Sequence, residues 1–98
     1  MIGNFDFSQR VTVPDFVMFR QLSGESILLN LNNEQYFGLD DVGTRMWLSL
    51  TQSGSIEDAY QSLLGEYEVD AQELRRDLTE LVQNLSTQGL VEIVDAAA

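Results

Sequence analysis

The chain contains no cysteine, no histidine and no lysine. Without cysteine there are no disulfides, no thiolate nucleophile and no Cys-based zinc site. Without histidine the commonest metal ligand and general base is missing. Serine–histidine and cysteine–histidine catalysis are closed, and the lack of lysine closes Schiff-base chemistry too. The 16 carboxylates remain, but in a chain of net charge -11 they read as solvated surface. The composition describes a protein that is no enzyme by itself and needs neither metal nor cofactor.

Basic charge is scarce as well, and unevenly opposed. Residues 1–39 carry Asp6, Asp15, Glu25 and Glu34 against Arg10 and Arg20, a net of -2. Residues 40–98 hold the other 12 acids against Arg45, Arg75 and Arg76, a net of -9. A nucleic-acid binder needs a positive face to release counterions from phosphates. The second half of this chain would repel them. No apolar run approaches the ~20 residues of a membrane span. The opening "MIGNFDFSQR" lacks the basic and apolar regions of a signal peptide. A cytoplasmic protein without a membrane partner is expected.

What is present suits one small domain. At 98 residues with 44% hydrophobic content, the chain can bury only about two-thirds of its unfolded surface around a single core. Up to about residue 39 the pattern alternates and is β-prone; beyond it the period is helical. "RVTVP", Arg10 to Pro14, fits a short strand. "FVMFRQL" places Phe16, Met18 and Leu22 on one face and Val17 and Phe19 on the other. "SGE" (Ser23–Glu25) marks a hairpin turn before "SILLNL", and "NNE" (Asn32–Glu34) turns the chain into "QYFGL" through residues that tolerate the left-handed region.

Asp40 then fits the N-cap of a first helix, with Val42, Met46 and Leu50 on one face and Trp47 beside them. Ser55 fits the cap of a second, with Ile56, Ala59, Tyr60, Leu63, Leu64 and Tyr67 at helical spacing. Asp70 opens a third, whose stripe is Leu74, Leu78, Leu81, Val82 and Leu85, closed by Gly89. "LVEIV" (Leu90–Val94) is either a last strand or an extended packing segment. The fold class is α+β, a three-stranded antiparallel sheet followed by three helices in a winged helix-turn-helix-like order. Residues 1–9 are expected to be a flexible lead, 10–94 the domain and 95–98 a frayed tail.

Two stretches, "ILLNLNNEQYFGLDDVGTRMW" and "SIEDAYQSLLGEYEVDAQELRRDLTELVQNLSTQGLVE", resemble the PqqD-like family, whose members are also called RiPP recognition elements (RiPPs are ribosomally made, post-translationally modified peptides). The resemblance runs from about Val11 to Ile93. It rests on an ordered set of features: an aliphatic strand, an aromatic pair before Gly-Leu, an acidic cap, Val-Gly, Trp, then "Y-x-V-D" and a leucine helix closing on Gly-Leu-Val. The resemblance implies a non-catalytic domain that binds the leader of a precursor peptide. The leader would add as a strand to the last strand of the meander, walled by the third helix, and the core would pass to a modifying enzyme. That partner could be a radical enzyme, a leader protease or a cyclase, as in cofactor or lasso-peptide pathways.

Carried onto this sequence, the pairing edge falls at Gln35, Tyr36, Phe37 and Gly38. Helical spacing offers two flanks of the third helix as the wall. Arg75, Leu78, Thr79, Val82 and Ser86 form the less acidic one, opposite Glu73, Asp77 and Asn84, and the wall is placed there. Arg75 either pairs locally with acids such as Glu73 and Glu80 or meets an acidic leader side chain. Tyr36 and Phe37 point to opposite sides, so one is core and the other a peptide contact. Two other readings stay open: a winged-helix nucleic-acid-binding regulator, which the acidic third helix opposes, and a module that dimerises through its open sheet edge.

Overall fold

A computed structural model describes residues 5–96. Strand β1 (Gln9–Thr12) is followed by a meander of β2 (Val17–Leu22), β3 (Glu25–Asn30) and β4 (Gln35–Leu39). Helices α1 (Asp41–Gln52), α2 (Ile56–Glu66) and α3 (Ala71–Thr87) come next, and β5 (Glu92–Asp95) closes the chain. The meander forms an antiparallel sheet in the order β2-β3-β4, while β1 and β5 pair antiparallel in a small sheet of their own. The α+β order expected from the sequence is the order observed, and "LVEIV" yields a strand rather than a loose packing segment. Among the described residues no helix is long and apolar enough to cross a membrane.

The turns follow from local chemistry. Ser23 and Gly24 both take positive φ (53° and 92°), the two-residue turn whose twist matches that of a hairpin. In the next turn the left-handed residue is Glu34 (φ 61°), not one of the asparagines. Those are used differently: Asn30 Oδ1 accepts from the Asn32 N–H and Asn33 Oδ1 from the Gln35 N–H. Side-chain bonds shape this loop and leave the strained position to Glu34.

All three helix caps act as their sequences imply. Asp40 Oδ1 accepts from the Gly43 N–H at 2.7 Å, Ser55 Oγ from Asp58 and Asp70 Oδ1 from Gln72 and Glu73. Gly89 (φ 73°) ends α3, with the Leu90 N–H reaching the Leu85 carbonyl and the Gly89 N–H that of Ser86. This pair of bonds is a Schellman closure, and it satisfies carbonyls the helix end would otherwise leave bare.

The core lies between the inner sheet face and the helices. Leu28 and Leu39 meet Trp47, Leu50, Ile56, Leu63, Leu78, Val82 and Leu85. Trp47 is 3% exposed and stacks on Phe19 at 5.8 Å between ring centroids. Val42, expected on the apolar face of α1, is instead exposed; Thr44 and Ser49 are buried there with Met46 and Leu50. Ser26 on β3 explains part of this, because its hydroxyl bonds that of Thr44 and draws a polar side of α1 inward.

The lead segment also departs from expectation. Phe7 is only 8% exposed, stacked on Phe5 and set edge-on to Tyr60. Its carbonyl accepts from the Glu57 N–H at 2.8 Å, one of the free donors at the start of α2. The packed body therefore begins before Arg10. An aromatic at every second position (Phe5, Phe7) was the signal for it.

Candidate functional site

Among the described residues β4 has one hydrogen-bonded neighbour, β3, so its other edge carries main-chain donors and acceptors with no described strand beside them. Period-two alternation orients its side chains. Phe37 and Leu39 turn inward to the core, while Tyr36 turns outward and is 75% exposed. Of the aromatic pair, then, Phe37 is the packed one and Tyr36 the free one. Gly38 shares the outward side with Tyr36. A Cβ built on it would meet nothing within 4 Å, so its openness belongs to the sheet face rather than to the in-plane edge.

Two recesses show what lies opposite that edge. At the start of β4, Gln35, Tyr36 and Phe37 share a small recess with Asn33, Gln88 and Leu90, at the C-terminal end of α3. Beyond the end of β4, the first turns of α1 and α3 enclose a recess of about 110 Å³ between Val42, Met46, Tyr67, Val69, Glu73, Leu74 and Asp77. The first recess thus joins β4 to the residues just after α3, and the second joins the first turn of α3 to α1. On α3 the second recess is lined by Glu73, Leu74 and Asp77, and Glu73 and Asp77 share one helical flank.

The sequence placed the peptide-facing wall on the other flank, at Arg75, Leu78, Thr79, Val82 and Ser86. Leu78 and Val82 have no exposed surface; they are core. The Thr79 hydroxyl donates to the Arg75 carbonyl. The Arg75 guanidinium lies 4.0 Å from the centroid of the Phe7 ring and 5.4 Å from that of Tyr60, and pairs with Glu57 at 3.6 Å. Of the eight residues singled out by sequence, the structure brings Gln35, Tyr36, Phe37 and Gly38 together on one strand. Arg75 and Thr79 it sends to the other side of α3. There the Phe7 ring, with Phe5 stacked on it, covers Arg75 as a cation–π partner. The signal for Val42 was its position, two residues past a capping aspartate that ends an edge strand.

The corner holding the larger recess is braced. Arg45 on α1 donates from Nε and Nη2 to the two carboxylate oxygens of Glu66 at the end of α2, at 3.1 and 2.6 Å. These hydrogen bonds hold the Glu66 carboxyl below its ordinary range and push Arg45 up. The Tyr60 hydroxyl donates to the Ala71 carbonyl and so ties α2 to the first turn of α3. Among the described residues no group of three or more acidic side chains is gathered to hold a metal ion. What the arrangement offers is a main-chain edge, a small amide-lined recess at its start, and an apolar recess rimmed by Glu73 and Asp77 beyond its end.

The fold is shared with solved structures. The structure of TbiB1 in complex with the TbiA(beta) leader peptide matches with a TM-score of 0.73 at 33% identity, covering 82% of this chain and 93% of that one. A lasso peptide synthetase B1 complexed with its leader peptide matches at the same TM-score and 25% identity, covering 85% and 98%. No curated protein sequence matches. The profile of the PqqD family, described as coenzyme PQQ synthesis protein D, matches residues 25–91, from the first residue of β3 to the one before β5. By that match the chain belongs to the PqqD family.

Proposed function

We propose that the chain binds the leader segment of a ribosomally made precursor peptide and delivers the attached core to a modifying enzyme. The leader adds as a fourth strand to β4 and lies in the channel between β4 and the Glu73–Asp77 flank of α3. The observation that carries this reading is the β4 edge with no strand beside it among the described residues; the two leader-bound relatives support it. Main-chain bonds to β4 supply affinity independent of sequence, and the recesses at either end select side chains. The apolar lining of the α1–α3 recess, rimmed by Glu73 and Asp77, suits an apolar leader residue with a basic neighbour. Holding the leader raises the effective concentration of the core at the enzyme to the order of millimolar. The role is recognition rather than catalysis, performed in the cytoplasm where such precursors are translated.

An amide NMR titration of the labelled chain with leader peptides from short reading frames beside its gene tests this. Shifts should gather on Gln35–Leu39, Val42 and the Asp77 side of α3. Asp77→Asn should weaken a leader that carries a basic residue, while Arg75→Gln should leave affinity alone and lower only stability. Shifts gathered on Arg75, Thr79 and Ser86 would move the channel to the other flank. No shift with any leader, in folded protein, would end the proposal.

A further inference from the structure

The sheet β2-β3-β4 has two faces, and the helices cover only one. Alternation sends Phe19, Leu28 and Phe37 inward and Met18, Ile27, Leu29 and Tyr36 outward. A solvated sheet face normally reads as polar; this one does not. The register joins the outward residues into a surface: Met18 lies across from Leu29 and Leu29 from Tyr36, while Arg20 lies across from Ile27 and Ile27 from Gly38. Together they line a shallow apolar depression of about 460 Å³. Met18 is 46% exposed on it. The fold itself has no packing use for the open space above Gly38. Contiguous apolar surface of this kind marks a place where another molecule sits.

We propose that this face docks the modifying enzyme, through an apolar patch on the enzyme that carries a carboxylate for Arg20. The inference rests on the delivery reading above and adds the surface by which delivery occurs. Charge argues for such a partner. Arg20 lies inside the apolar depression and takes part in none of the ion pairs among the described residues, although acids outnumber arginines 16 to 5 in the chain. An arginine among apolar groups is the composition of an interface anchor awaiting a carboxylate. A second copy of this chain fits poorly: the same face on a partner copy lines up no carboxylate for Arg20, and the pairing joins two chains of net charge -11.

Continuity with the peptide channel argues the same way. A strand added to β4 would send every second side chain outward beside Tyr36. An enzyme seated on this face would then touch carrier and leader together, and hold the loaded carrier more tightly than the empty one.

The methionines give a direct test, because Met18 lies on this face and Met46 lines the α1–α3 recess. With methyl-labelled methionine, a leader peptide alone should shift Met46. Adding the purified modifying enzyme encoded beside the gene should then broaden Met18. Arg20→Glu should weaken enzyme association at least about tenfold, as loss of an interface anchor does, with leader affinity unchanged. Met18→Glu, also at an exposed site, should do the same. Met46 responding to the leader while Met18 ignores the enzyme, or enzyme binding untouched by Arg20→Glu, would overturn the docking face and leave the delivery reading standing. A Met18 signal that moves with the chain's own concentration would overturn it in favour of a second copy. Met46 silent to every leader would remove the delivery reading and this inference with it.

Discussion

Ser26 on β3 and Thr44 on α1 share a single hydrogen bond of 2.7 Å between hydroxyls that are 2% and 1% exposed by residue. Thr44→Val keeps the side-chain shape and deletes one partner, stranding the Ser26 hydroxyl away from water. A buried polar group left unpaired costs about 1–3 kcal/mol. Each kcal/mol lowers Tm by roughly 4–8 °C in a domain of this size. Ser26→Ala should cost less, because the Thr44 hydroxyl can turn to the Asp40 carbonyl one turn back, which its own N–H already reaches. In the double variant neither hydroxyl is stranded. It should be little worse than Thr44→Val alone, with a coupling energy on the order of 1 kcal/mol. Urea unfolding followed by fluorescence of Trp47, the one tryptophan, measures all four chains. Since this bond seats α1 against the sheet beside Val42, leader affinity should fall in Thr44→Val and recover in the double variant. Strict additivity of the two stability losses would refute the reasoning.

Phe7→Ala should destabilise by about 3–5 kcal/mol, the usual cost of emptying a core aromatic site, again read by urea unfolding. A chain shortened to begin at Arg10 that kept full stability would show the packing of Phe7 to be idle. The Arg45–Glu66 pair gives a prediction in pH. Because the folded-state Glu66 carboxyl is held below its ordinary range by the Arg45 hydrogen bonds, its contribution is present above the unfolded carboxylate pKa and is lost as pH falls through the lowered value. Glu66→Gln should therefore cost a little at neutral pH, under about 1 kcal/mol for an exposed pair, and nothing in strong acid. A loss of equal size at both pH values would assign it to packing.

Most of the architecture could be read from local chemistry. The turn at Ser23–Gly24, the caps at Asp40, Ser55 and Asp70 and the stop at Gly89 act on neighbours within a few residues, so their sequence is their structure. The strand Gln35–Leu39 was legible for the same reason, as a short run halted by a cap. What lies beside each flank of α3 was not. Leu74, Leu78 and Leu85 say which side of the helix is buried, but the two bordering flanks differ only in charge, and charge does not say what lies opposite. One flank is taken by Phe7, dozens of residues away in sequence, whose ring meets Arg75 and Tyr60. The inward turn of Thr44 was hidden likewise, since a hydroxyl seeks the core only if a partner such as Ser26 is already there.

The pairing of β1 with β5 sets Gln9 opposite Asp95 and Thr12 opposite Glu92. Neighbouring strands lie about 4.8 Å apart, so the chain comes in and goes out through what is nearly one doorway. A body laid out in this way can be spliced into a surface loop of a larger protein, or hung from either end of one, without prising its host apart. The two strands that close this doorway form a sheet of their own, so the β4 edge, built from the middle of the chain, lies on a different sheet from them.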